Sequence, residues 1–270
     1  MPSKGSVGVL CALRPEISGL LRTAQTKNLR RGALWRGDLK GVPLFLCRGG
    51  VGLKRAAVGA RTLIEEAARA GEGDPGLSTL LCVGAAGGLD PRLQPGDIVV
   101  ANEVLGPEDG RPLGAPPFLV RLAQEAARVS GFSLREGRLL SAPQPLVGPK
   151  EKARSFSAYR ALAVDMESLG AARVAGETGV PFLALRVITD DARMTLPMPS
   201  SLSPHRLVIE GARFVAKAPQ FRRALLNLNR FLAVFIVQLG LSPEWTEDLI
   251  DRFPLASREL ERFLHKEKAY

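Results

Sequence analysis

The run PFLALRVITDD, residues 181–191, opens with eight residues that are nearly all apolar and then breaks into Thr189, Asp190 and Asp191. A strand with one face in water alternates apolar and polar residues, whereas a strand covered on both faces reads as a continuous apolar run. Runs of the same kind recur at SVGVLC (6–11), VPLFLC (42–47), TLLCV (79–83), DIVVA (97–101) and ALAV (161–164). Stretches with helical period lie between several of them, at 52–70, 117–130 and 167–179. Covered strands alternating with helices predict an α/β domain with helices on both faces of its sheet. The Pro/Gly-rich stretch around 106–117 reads as a surface loop, not as a domain linker.

The chain has 270 residues, 46% apolar and 24% charged, which suits one large domain and excludes disordered, collagen-like and disulfide-stapled classes. Cys11, Cys47 and Cys82 are odd in number and each sits in an apolar run, so they read as buried, reduced thiols of a cytosolic protein. No signal-peptide h-region and no bilayer-spanning apolar stretch is evident; the longest candidate is FLAVFIV at 231–237. Lys+Arg 37 against Asp+Glu 27 gives a net charge of +10, a surface that attracts anions.

Beyond Pro199 the pattern becomes helical, at 203–217, 220–239 and 243–267. Arg206, Arg213, Lys217, Arg222, Arg223 and Arg230 face a single acid there, Glu210. Leu225, Leu228, Leu232, Phe235 and Leu239 follow helical spacing, so the segment 205–240 is both basic and amphipathic. Two readings stand: a helix lying at an anionic membrane surface, or a packing or dimer-forming helix with a solvated basic edge. The chain accordingly divides into a domain over 1–199 and a basic helical extension over 200–270.

In doubly wound sheets, ligands bind beyond the carboxyl ends of the strands. Those ends carry Arg14-Pro15-Glu16, RGGVG (48–52), GAAGG (84–88), DMES (165–168) and Thr189-Asp190-Asp191. Neither glycine stretch matches a dinucleotide or Walker A pattern, so each reads as a plain turn or as a close approach of backbone to a ligand. Arg48, directly before Gly49 and Gly50, favours an anion there. Carboxylates around a pocket suit cleavage of a glycosidic bond, which needs an acid at the leaving group and a base or nucleophile at the anomeric carbon. The only histidines, His205 and His265, lie in the helical tail, which argues against a Ser-His-Asp triad and against a His-based metal site.

Five pieces in order resemble the nucleoside phosphorylase / nucleosidase superfamily, which includes the methylthioadenosine/S-adenosylhomocysteine nucleosidases. They are VGVLCALRPEISGL (7–20), CRGGVGLKRAA (47–57), VGAAGGLDPRLQPGDIVVANEV (83–104), AVDMES (163–168) and VPFLALRVITDDA (180–192). The resemblance implies a single α/β domain with a central mixed β-sheet flanked by helices, and an enzyme that needs no cofactor. It implies that Asp190 protonates the purine at N7 and that Glu16 activates the attacking water. Glu167 would hold the ribose hydroxyls, with Met166 under the sugar and Asp165 beside it. Ala85, Ala86 and Gly87 would border the sugar and nucleophile. In the phosphorylase alternative, Arg48 and Gly50 would bind inorganic phosphate as co-substrate.

The chain departs from the pattern at Ala85, where nucleosidases carry Ser or Thr, and at SAPQPLVG (141–148), which has no base-stacking aromatic. VDMESLGAARVAGETGVPFLALRVITDDARMTLP (164–197) with the basic tail is similar to the hopanoid-associated branch, whose substrate is a lipid-linked adenine nucleoside of the adenosylhopane type. The superfamily resemblance implies a homo-oligomer, and the lipid-linked substrate implies a cytoplasmic protein at the inner face of the membrane through 205–240. A non-catalytic nucleoside- or nucleic-acid-binding protein is the alternative class. Few aromatics, 6% of residues, and the carboxylate set count against nucleic acid.

Overall fold

The computed structural model describes residues 6–70, 76–108, 111–196 and 219–241. Ten strands form one sheet: β1 (Ser6–Cys11), β2 (Gln25–Arg30), β3 (Leu34–Leu39), β4 (Val42–Arg48), β5 (Leu77–Gly88), β6 (Ile98–Leu105), β7 (Leu113–Gly114), β8 (Leu134–Ser141), β9 (Ala161–Asp165) and β10 (Phe182–Asp190). The helices are α1 (Ser18–Thr23), α2 (Leu53–Ala68), α3 (Pro117–Ser130), α4 (Pro149–Tyr159), α5 (Ser168–Thr178) and α6 (Pro219–Leu241), with a 3-10 turn at Arg14–Ile17.

The apolar runs became strands because both faces are covered. Alternate residues point to opposite layers: Leu81, Val83, Leu183, Leu185 and Val187 meet α3 and α6. Leu80, Cys82, Phe182, Ala184 and Ile188 meet α2 and α5. In α2, Ala56, Ala60, Leu63 and Ala67 recur on one buried face. The helix packs so closely on α5 that a Cβ on Gly170 would lie 2.1 Å from the Leu53 carbonyl oxygen. Gly131, at φ 70°, ends α3 in the left-handed conformation that glycine adopts without penalty.

The sheet is mixed. β5 runs parallel to β1 and β10, β10 antiparallel to β6, β6 and β8 parallel, β8 and β9 parallel, and β9 returns antiparallel to β5 at Gly87 and Gly88. Five strands thus close on themselves as a barrel, while β1, β4, β3 and β2 continue outward from β5. The α/β architecture with helices on the sheet agrees with expectation. The β2–β3 hairpin, β8 and α4 were not expected, and GAAGG is not a turn: β5 runs on through Gly88.

The helix expected at 220–239 spans Pro219–Leu241. Its apolar residues Phe221, Leu225, Leu228, Phe231, Leu232, Phe235 and Ile236 are buried in the core with β1, β4 and α3. The face that a bilayer reading required is therefore packed on the sheet, and Arg222, Arg223 and Leu226 are left on the exposed side. The expected helices at 203–217 and 243–267 lie outside the described residues. Among the described residues, no helix is long and apolar enough to cross a membrane. Cys11, Cys47 and Cys82 are buried free thiols; burial pushes Cys47 up to about 11 and Cys82 to about 12.

Candidate active site

Beyond β1, the 3-10 turn Arg14–Ile17, with Pro15 in its first positions, buries Glu16 against Ala85 of β5. Its carboxylate accepts three backbone hydrogen bonds: from Ala12 N at 2.9 Å, Leu13 N at 2.8 Å and Ala85 N at 3.0 Å. Burial raises the Glu16 carboxyl above the usual range, against the pull of those N–H groups and of Arg186. Asn229 of α6 fixes this turn from behind. Its Oδ1 accepts from Gly19 N at 2.7 Å and its Nδ2 donates to the Pro15 carbonyl at 3.2 Å.

β5 carries glycines here because charged groups need the room. A Cβ on Gly84 would lie 2.5 Å from Arg186 Nη1 and 2.6 Å from Glu16 Oε1, and one on Gly87 would lie 3.1 Å from Asp190 Oδ2. Arg186, on β10, is 1% exposed. Its Nη2 is 2.6 Å from Asp165 Oδ2 and 4.0 Å from Glu167 Oε2, and it donates to Ser168 Oγ at 2.9 Å. Burial opposes the Arg186 charge, and Asp165, Cys82, Glu167 and Glu16 outweigh it, holding the guanidinium charged.

Glu167 sits at the start of α5, where Gly52 N donates to its Oε1 at 2.9 Å. Burial and the neighbouring Asp165 push it up to about 7. Asp190, at the end of β10, accepts from Thr189 Oγ1 at 3.0 Å and from Lys152 Nζ at 2.6 Å. Burial raises Asp190, and Lys152 pulls it back.

One pocket is lined by Glu16, Ala85, Ala86, Gly87, Asp165, Met166, Glu167 and Asp190 together with Ala12, Leu13, Val51, Pro145, Leu146, Val164, Thr189, Leu196 and Phe221. The structure thus brings together eight of the ten candidate residues. Arg48 and Gly50 do not line it: Arg48 ends β4 with its side chain exposed, and a Cβ on Gly50 would meet only Arg55. The GGVG stretch instead presents Val51 to the pocket and gives the Gly52 N–H to Glu167. Asp165 is more committed than a free substrate ligand, being held by Arg186, Ser168 and Ser141.

Sequence reasoning missed Arg186, Lys152, Asn229 and Phe221. A lone arginine inside an apolar strand was a readable signal for the first; nothing in the sequence pattern marked the others. The stretch 141–148 has no aromatic, and it lines the pocket with Pro145 and Leu146 instead. Among the described residues, no group of three or more His, Cys, Asp or Glu is arranged to hold a metal ion.

The chain is 29% identical over 205 residues to a 5'-methylthioadenosine/S-adenosylhomocysteine nucleosidase of Baumannia cicadellinicola subsp. Homalodisca coagulata, covering 69% of this chain and 86% of that protein. Its fold matches that of the Neisseria meningitidis 5'-methylthioadenosine/S-adenosylhomocysteine nucleosidase at a TM-score of 0.69 and 22% identity, over 87% of this chain and 99% of the other. Futalosine hydrolase of Helicobacter pylori matches at a TM-score of 0.69 and 20% identity, over 86% and 97%. The model of the phosphorylase superfamily matches residues 6–213, a span that holds every charged group of the pocket, and the chain belongs to that superfamily.

Proposed function

We propose that the protein is a purine nucleosidase that cleaves the N-glycosidic bond of an adenine nucleoside with water. The observation that carries this reading is the pairing, in one apolar pocket, of Glu16 and Asp190, two buried carboxyls both raised above their usual range. Glu16 takes a proton from the attacking water as its oxygen bonds to the anomeric carbon. Asp190 gives a proton to N7 as the bond to N9 breaks, so adenine leaves neutral and a free sugar remains. Glu167, steadied by the Gly52 N–H, holds the ribose hydroxyls, and Met166 packs under the ring. No cofactor enters these steps. The names of the nucleosidase relatives support the same chemistry.

Water is favoured over phosphate by the charges. Arg48 is exposed and outside the pocket, while Arg186 is already paired with Asp165 near Glu167. A phosphate dianion entering there would meet the acidic side chains of Glu16, Asp165, Glu167 and Asp190.

Leu13, Leu146, Leu196 and Phe221 make part of the lining apolar, which supports a nucleoside with an apolar 5′ group, in the lipid-linked case an adenosylhopane-type substrate. On that reading a homo-oligomer sits at the cytoplasmic membrane face and is held by charge, Arg222 and Arg223 included, because the apolar face of α6 is buried.

The test is adenine release from adenosine, methylthioadenosine, S-adenosylhomocysteine, inosine as the 6-oxo control, and an adenosyl-lipid in detergent, each with and without phosphate. Phosphate-independent adenine release supports the proposal, and Asp190→Asn should then lower kcat by about 10²–10⁴-fold. Product formed only with phosphate overturns it. Release only from the adenosyl-lipid assigns the lipid substrate, and equal or better release from the small nucleosides removes it.

A further inference from the structure

Lys152 belongs to no feature discussed so far except as the partner of Asp190. It lies on α4, is 0% exposed, and does not line the pocket. Its Nζ donates to Asp190 Oδ2 at 2.6 Å, to the Asp191 carbonyl at 2.7 Å and to the Met194 carbonyl at 3.1 Å. An ammonium has three N–H bonds, and here each has one acceptor, so the group is held as a fully satisfied cation. A buried ammonium is costly unless paired, and its one charged hydrogen-bond partner is the carboxyl that the proposed reaction uses as acid.

The same lysine joins two walls of the pocket. Residues 191–194 lead to Leu196, whose N–H donates to the Val147 carbonyl at 3.0 Å. Val147 N and Gly148 N in turn donate to Glu151, one residue before Lys152. Pro145 and Leu146 on one side, and Asp190 and Leu196 on the other, are therefore tied through one short segment of α4.

We propose that Lys152 is the positioning residue of the leaving-group side: its ammonium clamps the Asp190 carboxyl and the 191–194 backbone together at the pocket wall. The proposal rests on the assignment of Asp190 as the acid. The physical need is plain. Burial raises the Asp190 carboxyl and the Lys152 charge and hydrogen bond lower it, and an acid works best with its affinity for the proton near the working pH. The charged groups that face Asp190 are Lys152 from α4 and Asp191 from the turn after β10. Packed against it, β5 offers only Ala86 and Gly87, and Asp165 and Glu167 share the pocket. Arg186 lies farther back, paired with Asp165, so among the described residues Lys152 is the one cation that hydrogen-bonds Asp190.

The experiment reads Asp190 directly, by ¹³C NMR titration of protein labelled at the aspartate carboxyl carbon, with the Asp190 signal assigned by its loss in Asp190→Asn. Wild type is compared with Lys152→Met, which keeps length and removes charge, and with Lys152→Gln, which keeps two N–H donors for the carbonyls. An opposite charge at this range lowers a carboxyl by about 1–3 pH units, so the midpoint should move up by at least about 1 pH unit in either variant that folds. The alkaline limb of kcat/KM should move up with it, and kcat at pH 7 should fall by about 10–100-fold from the loosened carboxyl. An Asp190 midpoint unmoved in the folded variant overturns the proposal even if activity falls, because Lys152 would then be structural only. Failure of the nucleosidase reading shows separately, as a wild type that releases no adenine.

Discussion

Glu16→Gln separates the two things that Glu16 does, and its cost can be worked from the three hydrogen bonds. The carboxylate accepts from Ala12 N and Leu13 N on Oε2 and from Ala85 N on Oε1. Glutamine keeps one acceptor and turns the other into a donor. With its oxygen toward Ala12 and Leu13, its amide nitrogen faces the Ala85 N–H; in the reverse pose, two N–H groups lose their acceptor. The better pose leaves one buried backbone donor unmatched, which costs roughly 1–3 kcal/mol. The neutral side chain recovers part of this by ending the burial of a charge, so the fold should survive with a lowered melting temperature. The chemistry has no such compensation, because an amide cannot take the proton from water, and kcat should fall by about 10²–10⁴-fold. The assay is adenine release under saturating substrate, run beside a thermal melt. A folded Glu16→Gln enzyme turning over at the wild-type rate would refute the assignment of Glu16 as base.

Other outcomes follow from the same geometry. Glu167 is raised to about 7 by burial and Asp165, so the folded state holds its proton more tightly than the unfolded chain; that stability is complete at low pH and is lost as pH rises through about 7. Across that interval the loss is about 3 kcal/mol, and Glu167→Gln, which cannot ionise, should flatten the stability-against-pH curve while lowering activity; identical urea-melt slopes with pH in the two proteins would contradict this. Asn229→Ala leaves Gly19 N and the Pro15 carbonyl without their partner, which should cost roughly 1–3 kcal/mol by urea unfolding and lower kcat by shifting Glu16; an unchanged urea midpoint would dismiss the link between α6 and the 3-10 turn.

What could be read from the chain was governed by burial. Strands covered on both faces, such as SVGVLC and PFLALRVI, announce themselves because nearly every residue is apolar. β2 and β3 do not: QTKNLR is an exposed edge strand with one polar residue after another, and LWRGDL alternates only weakly. β8 begins LREGR, exposed for most of its first half, and α4 has a single buried residue, Lys152, so neither carries an apolar stripe. The glycines of GAAGG were misread as a turn because the sequence does not reveal what lies beside them; they are strand residues that make way for Arg186, Glu16 and Asp190. Eight candidate residues meet in one pocket because strand ends converge whatever the details. Arg48 does not, because β4 ends with its side chain turned outward, and strand order alone cannot say which way a terminal residue faces.

The central claim is that water, not phosphate, attacks the anomeric carbon under Glu16. It is tested most directly by following the reaction of the wild-type enzyme with an adenine nucleoside in phosphate buffer by ³¹P NMR, while free adenine is quantified in the same tube. The account predicts adenine in step with reducing sugar and no new phosphorus signal. A sugar phosphate appearing in equal amount with adenine would contradict it.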